Sequence, residues 1–113
     1  MSERQPKLLL EDICASVAKI KTYTAGMSDQ QFYADDKTMD AVIRNFEIIG
    51  EAANRIPDEL KDEYQKINWH KIRGFRNRIV HDYMGIDYEI VWEIICSDLD
   101  TLAQDIQEIV NTL

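Results

Sequence analysis

The sequence is poor in residues that cross-link or interrupt a chain: its 113 residues include two cysteines, two prolines and four glycines. Cys14 and Cys96 form no C-x-x-C pair and belong to no cluster of metal ligands, which argues against a disulfide scaffold and a zinc ribbon. Each cysteine falls among apolar residues in a helical pattern. We therefore expect both to be reduced and buried in the core.

Long apolar runs are also absent. No uncharged apolar run approaches the roughly 20 residues that span a bilayer, and the N-terminus lacks a basic stretch followed by an apolar signal core. With 45% apolar residues, the chain has enough material for one core. We expect a single domain over residues 1–113 that is soluble in the cytoplasm and makes no membrane contact.

Charge is unevenly distributed along the chain. The net charge of −8 argues against a protein that coats nucleic acid with its whole surface. However, no acidic residue lies between Glu63 and Asp82, a stretch that we call the basic segment. A solvated helix face usually mixes both signs, so this segment indicates a local basic stripe on an acidic body. Five of the thirteen basic residues fall in it: Lys66, Lys71, Arg73, Arg76 and Arg78.

Apolar residues recur at steps of three and four along most of the chain, and no sustained alternation indicates a half-buried strand. The sequence therefore predicts an all-α fold, a bundle of four to five helices. The predicted helical segments are Gln5–Tyr23, Ser28–Ala34, Lys37–Arg55, Pro57–Tyr64, Trp69–Tyr83 and Tyr88–Asn111.

Residues at the helix ends support these boundaries. Ser28 begins an S-x-x-Q capping box, and Asn68 and Asp87 are expected N-caps. Gly85 is expected to end the helix before Asp87. Gly50 lies inside the third helix, where glycine costs about 1 kcal/mol relative to alanine. We therefore expect another helix to approach closely there.

The most informative stretch runs from Arg73 to Tyr83. At about 100° per residue, Arg73, Asn77 and His81 form one stripe of a helix. Arg76 lies about 140° around the axis from His81, so one straight helix does not easily aim both at one phosphate. A frayed helix end, or two copies of the helix facing each other across a two-fold axis, would bring them together. We favour the dimer.

The chemistry of these side chains suits RNA cleavage. A histidine, with an ordinary pKa of about 6.5, can take the proton of a 2′-hydroxyl or give one to the leaving 5′-oxygen. An arginine can stabilise the charge that develops on the phosphate oxygens. His81 and Arg76 can thus serve as a catalytic pair, and Asn77 can orient the imidazole or the phosphate. No metal ion or other cofactor is expected, because His70, His81 and Asp82 do not have zinc-like spacing.

Each assignment has a structural alternative. The bare R-x-x-x-x-H spacing is expected by chance in roughly one chain of ten, so on its own it favours an ordinary surface helix. Lys71, Arg73 and Arg78 are candidate phosphate contacts, and each can equally be a solvated side chain. Glu47 and Glu51, one turn apart, can be partners of an arginine in the cleft or simply exposed. The aromatic residues expected in the core or a dimer interface are Trp69, Phe75 and Trp92.

The longer string R-N-x-x-x-H-x-Y, from Arg76 to Tyr83, resembles the signature of the HEPN superfamily in its HepT-like toxin branch. Residues 46–53 resemble a second block typical of that branch, and residues 69–92 resemble the block that holds its active site. The resemblance covers the chain from Arg44 to Leu102. The first helix matches only in being a helix.

The resemblance implies a helical bundle that forms a homodimer, with Arg76 and His81 of both subunits in one composite cleft. Such a cleft cleaves RNA without a metal ion and leaves a 2′,3′-cyclic phosphate. The resemblance also implies a toxin–antitoxin pair of type II or type VII. Its antitoxin is a minimal nucleotidyltransferase that attaches AMP units to the tyrosine of H-x-Y, here Tyr83. A bulky anion beside the basic segment would block the path of the RNA phosphates.

Two other interpretations are compatible with the same motif. The chain can be a non-catalytic HEPN module that binds a nucleotide, or docks on the nucleotidyltransferase and offers Tyr83 as the acceptor. It can also be a helical dimer with neither role, in which Arg76 and His81 lie in separate contacts.

Overall fold

The computed structural model describes residues 4–81 and 85–113, except for the side chain of His81. In this part of the chain the backbone forms eight helices and one short antiparallel ribbon of two strands. The predicted all-α class is confirmed. The elements are α1 (Pro6–Thr24), α2 (Asp29–Tyr33), α3 (Asp36–Arg55), α4 (Asp58–Glu63), α5 (Trp69–Arg73), α6 (Phe75–Ile79), β1 (Val80–His81), β2 (Gly85–Ile86), α7 (Tyr88–Ser97) and α8 (Leu99–Thr112).

The core forms where α1 packs against α3 and α8. Each of these helices repeats its apolar residues at steps of three and four, which places them on one face. The shorter helices α5 and α6 pack on α3 and so take their position from this frame. The buried apolar residues of the three long helices are Leu9, Leu10, Ile13, Val17, Ile20, Met39, Val42, Phe46, Ile49, Ala52, Ala53, Leu99, Leu102, Ile106 and Ile109.

The longest helices, α1 and α3, have 19 and 20 residues and carry charged side chains on their exposed faces. Among the described residues, no helix combines the length and apolar character that crossing a membrane requires.

Three predicted helix caps are confirmed. Ser28 accepts the backbone N–H of Gln31 at 3.2 Å, and the Gln31 side chain accepts the backbone N–H of Ser28 at 2.8 Å. Asn68 caps the first turn of α5 at 2.9 Å, and Asp87 accepts two backbone N–H groups of α7. Pro57 is the N-cap of α4, so this helix begins one residue later than predicted.

The prediction of one helix from Trp69 to Tyr83 is wrong. The backbone N–H of Gly74 donates to the carbonyl of His70 at 3.0 Å, and the chain breaks there into α5 and α6. Helix α6 ends at Ile79, where two consecutive β-branched residues favour an extended chain, and Val80 adopts φ −99° and ψ 124°. Gly85, with φ +77°, begins β2 instead of ending a helix.

The predicted helix from Tyr88 to Asn111 is divided at Asp98, which separates α7 from α8. The backbone N–H of Asp98 still closes the last turn of α7 on Ile94 at 2.9 Å, and its carboxylate binds two cations of α5 and α6. Apolar residues keep their helical spacing on both sides of Asp98, so the sequence pattern did not reveal the break.

One cysteine is not where the sequence predicts. Both cysteines are free, and Cys14 is half-buried, with burial raising the pKa of its thiol. Cys96 is exposed, so its predicted place in the core is wrong. Helix α7 turns Val91, Ile94 and Ile95 toward the core, and Cys96 falls outside that face.

We expect Phe75→Ala to lower the free energy of unfolding by about 3–5 kcal/mol, the usual cost of removing a buried phenyl ring. Phe75 is 2% exposed, and its ring meets that of Phe46 edge-on with the centroids 5.7 Å apart. Urea unfolding followed by circular dichroism measures the change. Leu8→Ala is the control, because Leu8 is exposed and its loss should change stability by less than about 0.5 kcal/mol. Equal effects of the two substitutions would contradict the packing described.

Candidate functional site

The bend at Gly74 decides how the basic segment meets the rest of the protein. Helix α5 is anchored in the core by the buried side chains of Trp69 and Ile72, and α6 by those of Phe75 and Ile79. The polar residues between these four positions therefore face outward. A Cβ at Gly74 would lie 3.2 Å from the carbonyl oxygen of His70, tighter than an ordinary contact. Glycine therefore suits the bend, which lets two short helices place their polar residues on more than one face.

A groove of about 650 Å³ lies between α3 and the pair α5–α6. Its volume falls within the range of small-molecule sites, about 300–1,000 Å³. Three predicted site residues line it, Arg73, Arg76 and Asn77, all with exposed side chains. The remaining lining residues are Phe46, Glu47, Gly50, Glu51, Asn54, His70 and Gly74.

The two arginines in this groove are available for an anion. Within the described part of the chain, neither Arg73 nor Arg76 forms an ion pair. Burial lowers the pKa of Lys61, and the positive charge of Arg73 lowers it further. Arg73 therefore lies near a second cation, Lys61.

The other cations of the basic segment are engaged elsewhere. Lys71 and Arg78 both reach Asp98, at 3.3 and 3.7 Å. Lys66 binds Asp105 at 3.3 Å and Glu108. The structure thus separates two predicted phosphate contacts, Lys71 and Arg78, from the groove that holds Arg73 and Arg76.

Carboxylates from α3 line the same groove. Glu47 and Glu51 are exposed, and Glu51 pairs with Arg55 on its own helix at 3.4 Å. No ion pair in the described part of the chain joins either carboxylate to Arg73 or Arg76. The groove therefore combines acidic and basic groups that do not neutralise one another by direct contact.

Gly50 forms part of the groove surface. Helix α5 does approach α3 here, as predicted, but a Cβ at Gly50 would lie 3.9 Å from the carbonyl oxygen of Ile72. That distance is an ordinary van der Waals contact, so the packing of the two helices does not require glycine. Because Gly50 has no side chain, it leaves space in the groove.

His81 is held by the ribbon and not by a helix. Val80 pairs with Ile86 and His81 with Gly85, and the backbone N–H of Asp87 donates to the carbonyl of Ile79 at 2.7 Å. Because the helix ends before His81, the predicted stripe and the angle of about 140° to Arg76 do not apply. The side chain of His81, and Tyr83 as a whole, lie outside the described residues.

A second cavity, of about 480 Å³, lies beside β2 and differs in charge from the groove. Burial raises the pKa of Tyr33, and the nearby carboxylate of Asp29 raises it further. Burial also raises the pKa of Tyr88, and the nearby carboxylate of Asp40 raises it further. The surroundings of this cavity are therefore negative, which disfavours a phosphate there.

Among the polar residues of the groove, His70 and Asn54 were not predicted to lie there. His70 was considered only as a metal ligand, and Asn54 belongs to no motif. The signal was the spacing: residues 47, 50, 51 and 54 share one face of α3, and residues 70, 73 and 77 follow one another at steps of three and four. Among the described side chains, no three His, Cys, Asp or Glu residues cluster as metal ligands.

Comparison with known proteins gives consistent matches. A model of the family described as Ribonuclease HepT-like matches residues 13–109. A Methanocaldococcus jannaschii protein named as a candidate RNase is 32% identical over 113 residues, which cover 100% of this chain and 93% of that protein. A similarly named protein of Caldanaerobacter subterraneus subsp. tengcongensis is 32% identical over 108 residues, 96% of each chain.

A third relative carries a more specific name. The "Probable ribonuclease HepT" of Thermococcus cleftensis is 35% identical over 100 residues, which cover 88% of this chain and 91% of that protein. No solved structure gave a significant match. The family match spans α3 and the whole basic segment, as the resemblance to the HepT-like branch predicts, and the chain belongs to the HepT-like ribonuclease family.

Proposed function

We propose that this protein is an endoribonuclease toxin that cleaves RNA without a metal ion, through Arg76 and His81. The observation that carries the proposal is the presence of Arg76 and Asn77, from the family motif, in an open groove beside Arg73. A guanidinium with no carboxylate bound to it in the described part of the chain can bind a phosphate with two parallel hydrogen bonds. Membership of a ribonuclease family supports RNA as the substrate.

In the proposed reaction, the 2′-oxygen of RNA attacks the adjacent phosphorus and the bond to the 5′-oxygen breaks. His81 takes the proton of the 2′-hydroxyl or gives one to the leaving 5′-oxygen. Arg76 stabilises the negative charge on the phosphate oxygens in the transition state, and Asn77 orients the phosphate. The products are a 2′,3′-cyclic phosphate and a 5′-hydroxyl.

Arg73 contributes a phosphate contact beside the reacting group. Lys71 and Arg78 are also proposed as RNA contacts, but Asp98 already neutralises part of their charge. Their removal should therefore weaken RNA binding less than removal of Arg73.

We also propose that the active form is a homodimer with a composite cleft. The angle between Arg76 and His81 on a straight helix no longer supports this, because the chain leaves the helix at Ile79. The support is the arrangement that the family resemblance implies.

The toxin is proposed to be silenced by a minimal nucleotidyltransferase that attaches AMP to Tyr83. Tyr83 follows His81 by two residues, so the added phosphates would lie near the catalytic residue in the chain. Their negative charge and bulk would oppose the entry of RNA phosphates. The pair would then form a cytoplasmic toxin–antitoxin system of type II or type VII.

We expect Arg76→Ala and His81→Ala each to lower the rate of RNA cleavage by at least about 100-fold, because each removes a group that acts in the transition state. Cleavage of a mixed RNA pool by purified, unmodified protein measures the rate, and circular dichroism checks the fold. Lys19→Ala, on the exposed face of α1, is the control and should keep full activity. Full activity in His81→Ala would contradict the proposal. Inactivity of the unsubstituted protein would favour the non-catalytic module.

For the silencing step, we expect co-expression with the partner nucleotidyltransferase to add one or more AMP units and to abolish RNA cleavage. Intact-mass spectrometry detects the additions. Tyr83→Phe should show no additions and should keep cleaving RNA in the presence of the partner. Additions that persist in Tyr83→Phe would place the modification at another residue.

A further inference from the structure

The groove between α3 and α5–α6 has two chemically different sides. Helix α3 supplies the carboxylates of Glu47 and Glu51, and α5 and α6 supply the guanidinium groups of Arg73 and Arg76. Groups of opposite charge line one groove, yet no ion pair joins them in the described part of the chain. A ligand that fits both sides must therefore carry an anionic group and, at a distance from it, hydrogen-bond donors.

The space between the two sides is open. Phe46 lies beneath the groove, where it is buried with its ring edge-on against Phe75. Gly50 costs helix stability without being required by the packing, because a Cβ there would lie 3.9 Å from its nearest neighbour, the carbonyl oxygen of Ile72. A groove of about 650 Å³ that is lined mainly by polar and charged side chains has room for a small polar ligand.

A nucleotide meets these requirements in one orientation. Its phosphate is attracted by the arginines and repelled by the carboxylates, so the phosphate lies on the α5–α6 side. The base then lies toward α3, where a carboxylate can only accept hydrogen bonds. Single-stranded RNA is commonly recognised through the Watson–Crick edges of unstacked bases.

Resting on the proposed function, we infer that Glu47 and Glu51 read the base of the bound RNA, and that the groove prefers guanine. Guanine offers two adjacent donors, N1–H and the N2 amino group, which match the two oxygens of one carboxylate. The Watson–Crick edges of adenine and cytosine place an amino group beside an acceptor. Uracil places its single N–H between two acceptors that a carboxylate repels.

Glu47 is the main acceptor. Glu51 is partly engaged by Arg55 at 3.4 Å, whereas Glu47 forms no ion pair in the described part of the chain. Both carboxylates also border a smaller groove that contains Arg44, so each side chain lies at the edge between two surfaces. A base bound in the larger groove would hold the Glu47 side chain on that side.

The test is equilibrium binding of short 2′-O-methyl uridine oligonucleotides that carry one guanine, inosine, adenine, cytosine or uracil at the central position. The methyl group blocks the 2′-oxygen, so binding is measured without cleavage. We expect guanine to bind about tenfold more tightly than inosine, which lacks the N2 amino group, since a hydrogen bond to a charged acceptor is typically strong enough for such a factor.

Two substitutions separate the parts of the inference. Glu47→Gln should reduce the guanine preference to about twofold or less, because an uncharged amide accepts hydrogen bonds more weakly. Glu93→Gln, on the exposed side of α7, is the matched control and should leave the preference unchanged. Gly50→Ala should weaken binding of every oligonucleotide several-fold while leaving the thermal midpoint equal or higher, because the new methyl group enters the groove.

The outcomes distinguish this inference from the proposed function. Equal binding of guanine, inosine and uracil, or an unchanged preference in Glu47→Gln, would overturn base reading even if the protein cleaves unmethylated RNA. A guanine preference that depends on Glu47 in a protein that cleaves no RNA would support base reading and reject the nuclease. Loss of a dimer in Glu47→Gln, measured by light scattering, would assign the carboxylate to a subunit contact and overturn the inference.

Discussion

Burial of the apolar faces of α5 and α6 is the constraint on which the site depends. Trp69 and Ile72 hold one helix in the core, and Phe75 and Ile79 hold the other. Because Gly74 allows the chain to bend between them, the polar residues emerge on two sides of a short segment. A single rigid helix with the same residues would arrange them on one continuous cylinder.

The cations of the basic segment lie on two sides of the fold and have different partners there. Asp98, Asp105 and Glu108 bind the cations on the side of α8, while Arg73 and Arg76 enter the groove beside α3. Exposed ion pairs contribute little stability each, so their main effect here is to neutralise charge on one side. A protein of net charge −8 thereby keeps two arginines that form no ion pair in the described part of the chain.

The sequence predicted features that depend on neighbouring residues. Apolar periodicity gave the stripe of α1 from Leu9 to Ile20, and side-chain chemistry gave the caps at Ser28, Asn68 and Asp87. Three of the predicted site residues, Arg73, Arg76 and Asn77, share the groove, whereas Lys71 and Arg78, which were predicted with them, do not.

The features that were not predicted depend on contacts made outside a regular helix. The end of α6 at Ile79 is stabilised by pairing of Val80 with Ile86, and the position of Lys71 by Asp98, which comes much later in the sequence. Helical spacing alone cannot reveal either contact. The same holds for Cys96, whose exposure follows from how α7 packs.

Arg76 and His81 are proposed to promote attack by the 2′-oxygen of RNA without a metal ion, and this is the central chemical claim. The most direct measurement is end-group analysis of RNA incubated with purified, unmodified protein in excess EDTA. The expected products carry 2′,3′-cyclic phosphate and 5′-hydroxyl ends. Cleavage that stops in EDTA, or products with 3′-hydroxyl and 5′-phosphate ends, would contradict the claim.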